Sequence, residues 1–144
     1  MSRTNFRRTY YGALLGLLVV LVTGCSSGDF GTVTGKVTAD GEPLPNALIT
    51  FFPQPDGRSS AGRTDENGEY ELVFSRAQKG AMVGEHVVRI STANEGGDYG
   101  TNAAKESIPA KYNVASELVE EVTPGSNVIN FELDLEGRVI QSGY

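Results

Sequence analysis

Tryptophan is absent from this 144-residue sequence, and cysteine and histidine occur once each, as Cys25 and His86. A single thiol excludes an internal disulfide. One Cys and one His fall short of the roughly three protein ligands a catalytic zinc needs, so neither a zinc centre nor any other cofactor is expected. Long apolar runs are scarce too. The longest, residues 12–22 (GALLGLLVVLV), is well short of the about 20 residues that span a bilayer. Basic charge is the minority sign, with Lys+Arg 12 against Asp+Glu 18 and a formal net charge of −6. Three of the twelve basic residues, Arg3, Arg7 and Arg8, precede Cys25, and no acidic residue does. The remainder is therefore more acidic than the whole. Such a surface repels phosphate backbones, which excludes nucleic acid as an expected partner, and it does not attract anionic lipid by charge.

What is present begins with a basic, polar segment (residues 1–11), the short apolar run, and then Val22-Thr23-Gly24-Cys25-Ser26. A basic stretch, a short apolar stretch and small residues at a cut site make a secretory signal. The segment VTGC resembles the bacterial lipobox. That resemblance implies cleavage before Cys25 and lipid on its thiol, so residues 1–24 are expected to be a signal peptide and residues 25–31 a lipidated tether. The expected location is the cell envelope, facing periplasm or cell surface, with the membrane as partner through the N-terminal lipid. Ser26, where an Asp would imply inner-membrane retention, leans towards the outer membrane.

From residue 32 onward, side-chain character alternates with period two, the pattern of half-buried strands. Val33, Gly35, Val37 and Ala39 share one face. Ala47, Ile49 and Phe51 form the next inner face, ended by Pro53. Residues 58–64 read as a weak edge strand. Tyr70, Leu72 and Phe74 read as one strand, and His86, Val88 and Ile90 as another. Residues 117–123 follow, and Ile129, Phe131, Leu133 and Leu135 form the clearest alternation. About seven short strands in roughly a hundred residues predict an all-β, antiparallel β-sandwich over residues 32–135. Residues 136–144 read as a C-terminal tail.

Three stretches, residues 31–53 (GTVTGKVTADGEPLPNALITFFP), 62–72 (GRTDENGEYEL) and 84–90 (GEHVVRI), resemble the carboxypeptidase regulatory-like domain. Residues 108–113 (IPAKYN) and 117–133 resemble small lipoproteins abundant in planctomycete bacteria. The resemblance implies a seven-stranded prealbumin-like (transthyretin-like) sandwich and a non-catalytic role, the regulatory domain being the inactive partner in carboxypeptidases.

No set of residues reads as catalytic. In TDENGEY, Asp65 and Gly68 have the chemistry of a tight turn; the alternation of Asp65, Asn67 and Glu69 lacks the distal bidentate ligand of a calcium loop. His86 falls on an inner face with no nucleophile motif beside it. The transthyretin-like hydrolase needs several histidines and a different C-terminal motif. A Lys36 isopeptide with Asn127 or Asn130 fits the strand order, but Lys36 and Asn130 alternate with the core set and should point outward. The remaining candidate is the polar, Gly-rich segment 93–116. Either Ile108 and Tyr112 fold back over a sheet end, or Tyr99, Lys111 and Tyr112 form a binding surface for a glycan, peptide or envelope protein. The function expected is thus a non-enzymatic, lipid-anchored module with a structural or interaction role. The alternative is a carbohydrate- or peptide-binding module.

Overall fold

A computed structural model describes residues 28–93 and 104–141. The expectations for Cys25, for Tyr99 and for the signal segment lie outside the described residues. Among the described residues, twelve strands form two six-stranded sheets with the core between them, and one short 3₁₀ helix lies outside the sheets.

The first sheet is built on β1 (Phe30–Ala39), a ten-residue strand. On one flank it pairs antiparallel with β2 (Glu42–Pro43), β5 (Glu69–Glu71) and β8 (Ala81–Met82). On the other flank β11 (Gly125–Val128) and β12 (Phe131–Leu133) run parallel to it, in one continuous register from Gly31↔Gly125 to Ala39↔Leu133. The second sheet is antiparallel throughout. Its order is β10 (Val119–Val122), β9 (Gly84–Ser91), β3 (Leu48–Pro53), β4 (Ser60–Arg63), β6 (Val73–Ser75) and β7 (Gln78–Lys79).

Alternation places the core as the sequence implies. Val33, Val37, Tyr70, Phe131 and Leu133 come inward from the first sheet, and Ile49, Phe51, His86, Val88 and Ile90 from the second. Phe131 is central, with ring centroids 6.3 Å from both Phe51 and Tyr70.

Four expectations need correction. The stretch Tyr70–Phe74 is not one strand: the chain leaves the first sheet after Glu71 and enters the second at Val73. Leu72, fully buried, is the crossing residue; its N–H donates to Val33 O and its carbonyl accepts from Gly80 N. Alternation survives the crossing because the inward side chains on both sides meet the same core. The segment 58–64 is not an edge strand either, since β4 lies between β3 and β6. The last strand is broken at Ile129–Asn130 and ends at Leu133, so Leu135 is 43% exposed rather than inward. Finally, Phe30 and Gly31 belong to β1, not to a tether.

The break at Ile129–Asn130 has a local cause. Gly35 in β1 lets the Ile129 carbonyl come so close that a Cβ there would stand 1.7 Å from its oxygen. That carbonyl turns to accept from Tyr70 OH at 2.7 Å, and Asn130 Oδ1 takes its place as acceptor for Lys36 N at 2.9 Å. A side-chain amide thus completes the ladder where the backbone departs.

Candidate functional site

The segment after residue 103 folds back onto the sandwich, as the packing alternative for it expects. Ile108 is fully buried and Tyr112, in the 3₁₀ helix Ala110–Tyr112, is 8% exposed. Tyr112 OH donates to Asp134 Oδ2 at 2.9 Å and accepts from Asp134 N at 3.1 Å. Lys111 Nζ makes an ion pair with Asp134 Oδ1 and lies 5.1 Å from the Tyr112 ring centre. The Lys111 ammonium, and then the Tyr112 hydroxyl, hold the Asp134 carboxyl below its usual range. Of the three residues proposed for a binding surface, Tyr112 is therefore committed to the fold. Lys111 is exposed but paired, and Tyr99 is outside the described residues.

The neck of this segment is closed by Glu106, which sequence reasoning missed. Its side chain is buried, at 7% exposure. Oε2 accepts from Ser91 Oγ at 2.6 Å. Oε1 accepts from Thr92 N, Thr92 Oγ1, Ser107 N and Ile108 N, at 2.7 to 3.2 Å. Burial pushes the Glu106 carboxyl up, yet the hydrogen bonds from Ser91, Thr92 and Ile108 together outweigh it and leave it below its ordinary value. Thr92 Oγ1 also meets Ser107 Oγ at 2.8 Å, which fixes the two ends of the connection side by side. Gln141 closes the clasp from the far end of the chain. Its Oε1 accepts from Glu106 N, and its Nε2 donates to Glu106 O. Arg138 O also accepts from Ala110 N, so the expected tail is docked at least to Gln141. No local motif announces Glu106; its partners Ser91, Thr92 and Gln141 are 14 to 35 residues away.

His86 is packed inward at 1% exposure, 5.7 Å from Phe51 centre to centre. Its Nδ1–H donates to Gly84 O at 3.0 Å, which sets the tautomer. Burial lowers its pKa from the usual 6.5, against the smaller opposing pull of that hydrogen bond. Across the strand pair it faces Glu120, whose carboxyl burial pushes up. Tyr70 is pushed well up, first by burial and then by the Glu120 charge.

The TDENGEY turn has the geometry its sequence implies. Asp65 Oδ1 accepts from Asn67 N at 2.8 Å and Glu69 N at 2.9 Å, and Gly68 sits at φ +77°. Thr64 Oγ1 donates to Leu44 O and accepts from Ala47 N, tying the turn to the start of β3. Lys36 and Asn130 both point outward, and it is the Lys36 backbone, not its amine, that meets Asn130. Among the described residues no group of three His, Cys, Asp or Glu side chains is arranged to hold a metal ion. A depression of about 530 Å³ on the outer face of the first sheet is lined by Thr34, Lys36, Glu69, Glu71, Val128 and Asn130, among others. Its lining mixes charges of both signs and is open to solvent.

No protein-family model matches the chain. No curated protein matches it either. Among solved structures, the chain is similar to a DUF3823 family protein from Parabacteroides merdae, at 14% identity over 71% of this chain and 44% of that one, with a TM-score of 0.36. It is similar to a 9R-lipoxygenase from Cyanothece at 16% identity over 74% of this chain and 16% of that one, with a TM-score of 0.40. The chain thus spans less than half the length of either. At those TM-scores neither likeness carries an argument for this chain.

Proposed function

We propose that this chain is a non-enzymatic, lipid-anchored β-sandwich module of the bacterial cell envelope, with a structural or interaction role. In this reading the sandwich is prealbumin-like, of the carboxypeptidase regulatory-like type, and Cys25 carries the lipid. The observation that supports it best is where the polar side chains of the domain are spent. Thr64, Asp65, Tyr70, Glu106, Tyr112 and Asp134 each hold a turn, a strand break or a loop neck. His86 donates to its own strand from a buried position. Groups bonded in this way stabilise a scaffold and are poorly placed to reach a substrate. Labelling cells with a fatty-acid analogue tests the anchor. Cys25→Ala should abolish incorporation and leave a larger, uncleaved precursor; labelling that survives the substitution refutes it.

A second reading, a glycan- or peptide-binding module, is favoured by the clasped neck. Glu106, Thr92 and Ser107 hold the two ends of the 94–103 connection together, and loops presented on a rigid sandwich are common recognition elements. With Tyr112 buried, Tyr99 is the residue on which this reading turns. Glycan-array or envelope-fraction binding lost in Tyr99→Ala supports it, and no binding by the parent protein counts against it.

A further inference from the structure

We infer that the end of the sandwich where β1 begins carries a second membrane contact, an aromatic and aliphatic rim that lies on the lipid headgroups; this rests on the lipid-anchor reading of Cys25. The strand registers identify what gathers at that end. Phe30↔Met82 pairs the start of β1 with β8, and Val83 N donates to Asp29 O. The Phe74 ring, from β6, meets Phe30 edge-on at 4.8 Å, and the Arg58 guanidinium lies 5.2 Å from the Phe74 ring centre. Val83 is 39% exposed, and Phe30, Phe74 and Met82 are half-buried. Amphipathic side chains of this kind, rings and thioether below with a guanidinium at the edge, suit the boundary between headgroups and water.

The length of chain that precedes the rim selects the occupant. Cys25 is five residues before Phe30, so even fully extended it reaches at most about 17 Å. A lipidated Cys25 therefore keeps this end within reach of the bilayer surface. Arg58 supplies a cation beside the Phe74 ring, and Asp29, Glu85 and Glu121 lie at the same end, the last two paired across β9 and β10, so contact here rests on the apolar side chains and not on net charge. Asp40, Glu42, Asp65 and Glu66 gather where β1 ends, about 30 Å away at the rise of an extended strand. That is several Debye lengths at physiological salt, so their repulsion from anionic lipid is screened.

The absence of tryptophan gives a test without background. Full-length protein carrying Val83→Trp at the rim, or Leu135→Trp at the far end, is reconstituted into phosphatidylcholine–phosphatidylglycerol vesicles brominated near the headgroup end of the acyl chains. Both sites are exposed, so neither substitution disturbs the core. Val83→Trp should be quenched at least threefold more than Leu135→Trp, and adding Arg58→Glu should reduce the difference. Equal quenching at the two sites, or none at either, in protein whose intact mass shows the acyl groups, overturns the rim and leaves the anchor standing. An intact mass without acyl groups overturns the anchor, and the rim with it.

Discussion

Replacing Glu106 should destabilise the domain more than its position near a loop suggests. Its carboxylate accepts five hydrogen bonds from Ser91, Thr92, Ser107 and Ile108. Bonds to a charged group contribute about 1.5–3 kcal/mol each, but five on one side chain do not add. After Glu106→Ala the Ser91 and Thr92 hydroxyls can turn to other acceptors, and Ser107 N keeps Thr92 Oγ1. Thr92 N and Ile108 N are left without their acceptor. At about 1–3 kcal/mol for each stranded amide, the expected loss is about 3–4 kcal/mol. Glu106→Gln keeps Oε1 and presents an amide to Ser91 Oγ, which can accept as well as donate, so its loss should be about 1 kcal/mol. Urea unfolding followed by circular dichroism measures both. The pH dependence supplies an independent check. A carboxyl held below its ordinary 4.5 contributes stability that is present above that pH and lost as pH falls through the folded-state value. The parent protein should therefore lose stability below about pH 4.5 more steeply than Glu106→Gln. An alanine variant within 1 kcal/mol of the parent, or identical acid limbs, refutes the clasp as a source of stability.

Gly35→Ala should cost about 3 kcal/mol, because its Cβ would stand 1.7 Å from Ile129 O; thermal unfolding that shifts by under two degrees contradicts the close approach. Tyr70→Phe should lose about 1 kcal/mol with the bond to Ile129 O, and in the parent the Tyr70 phenol should resist titration until the protein unfolds in alkali. His86, whose burial disfavours the imidazolium in the folded state, takes up its proton more readily in the unfolded chain. Stability should therefore fall as pH drops below about 6.5, and His86→Phe should flatten that slope. An imidazole NMR titration of this single histidine with a midpoint above 6.5 would contradict its burial.

How much of this was legible depends on how local each cause is. The inward faces of β1, β3 and β9 followed from alternation alone, because every second residue meets one core. The Asp65 turn followed from residue chemistry within five positions. The crossing at Leu72 did not, since alternation runs unbroken through a residue that is buried in both sheets' core. Neither did the break at Asn130, where the backbone departs and a side chain keeps the ladder satisfied. The alternation points Leu135 inward because it extends past Leu133; the Asp134 backbone N–H is instead taken by Tyr112 OH, and Leu135 N donates to Asp40 Oδ1. Tyr112 shows the limit for function. A tyrosine in a polar segment reads as a contact residue until Asp134, 22 positions on, is seen to accept its hydroxyl.

The pairing of the first strand with the last two has a consequence for how such a chain is made. β1 is the axis of the first sheet, and one whole flank of it waits for residues 94 positions later. Phe131, which touches both Phe51 and Tyr70, arrives with that flank. Gln141 then locks Glu106 from still further along. Contacts of such sequence separation carry the loop-closure cost before they return any stability, so folding is slow and cannot finish on a partial chain. A chain that stays open until its last strands are present keeps its first sheet unclosed for as long as they are missing. The mixed topology of the first sheet thus delays closure around β1 until residues 125–141 are present.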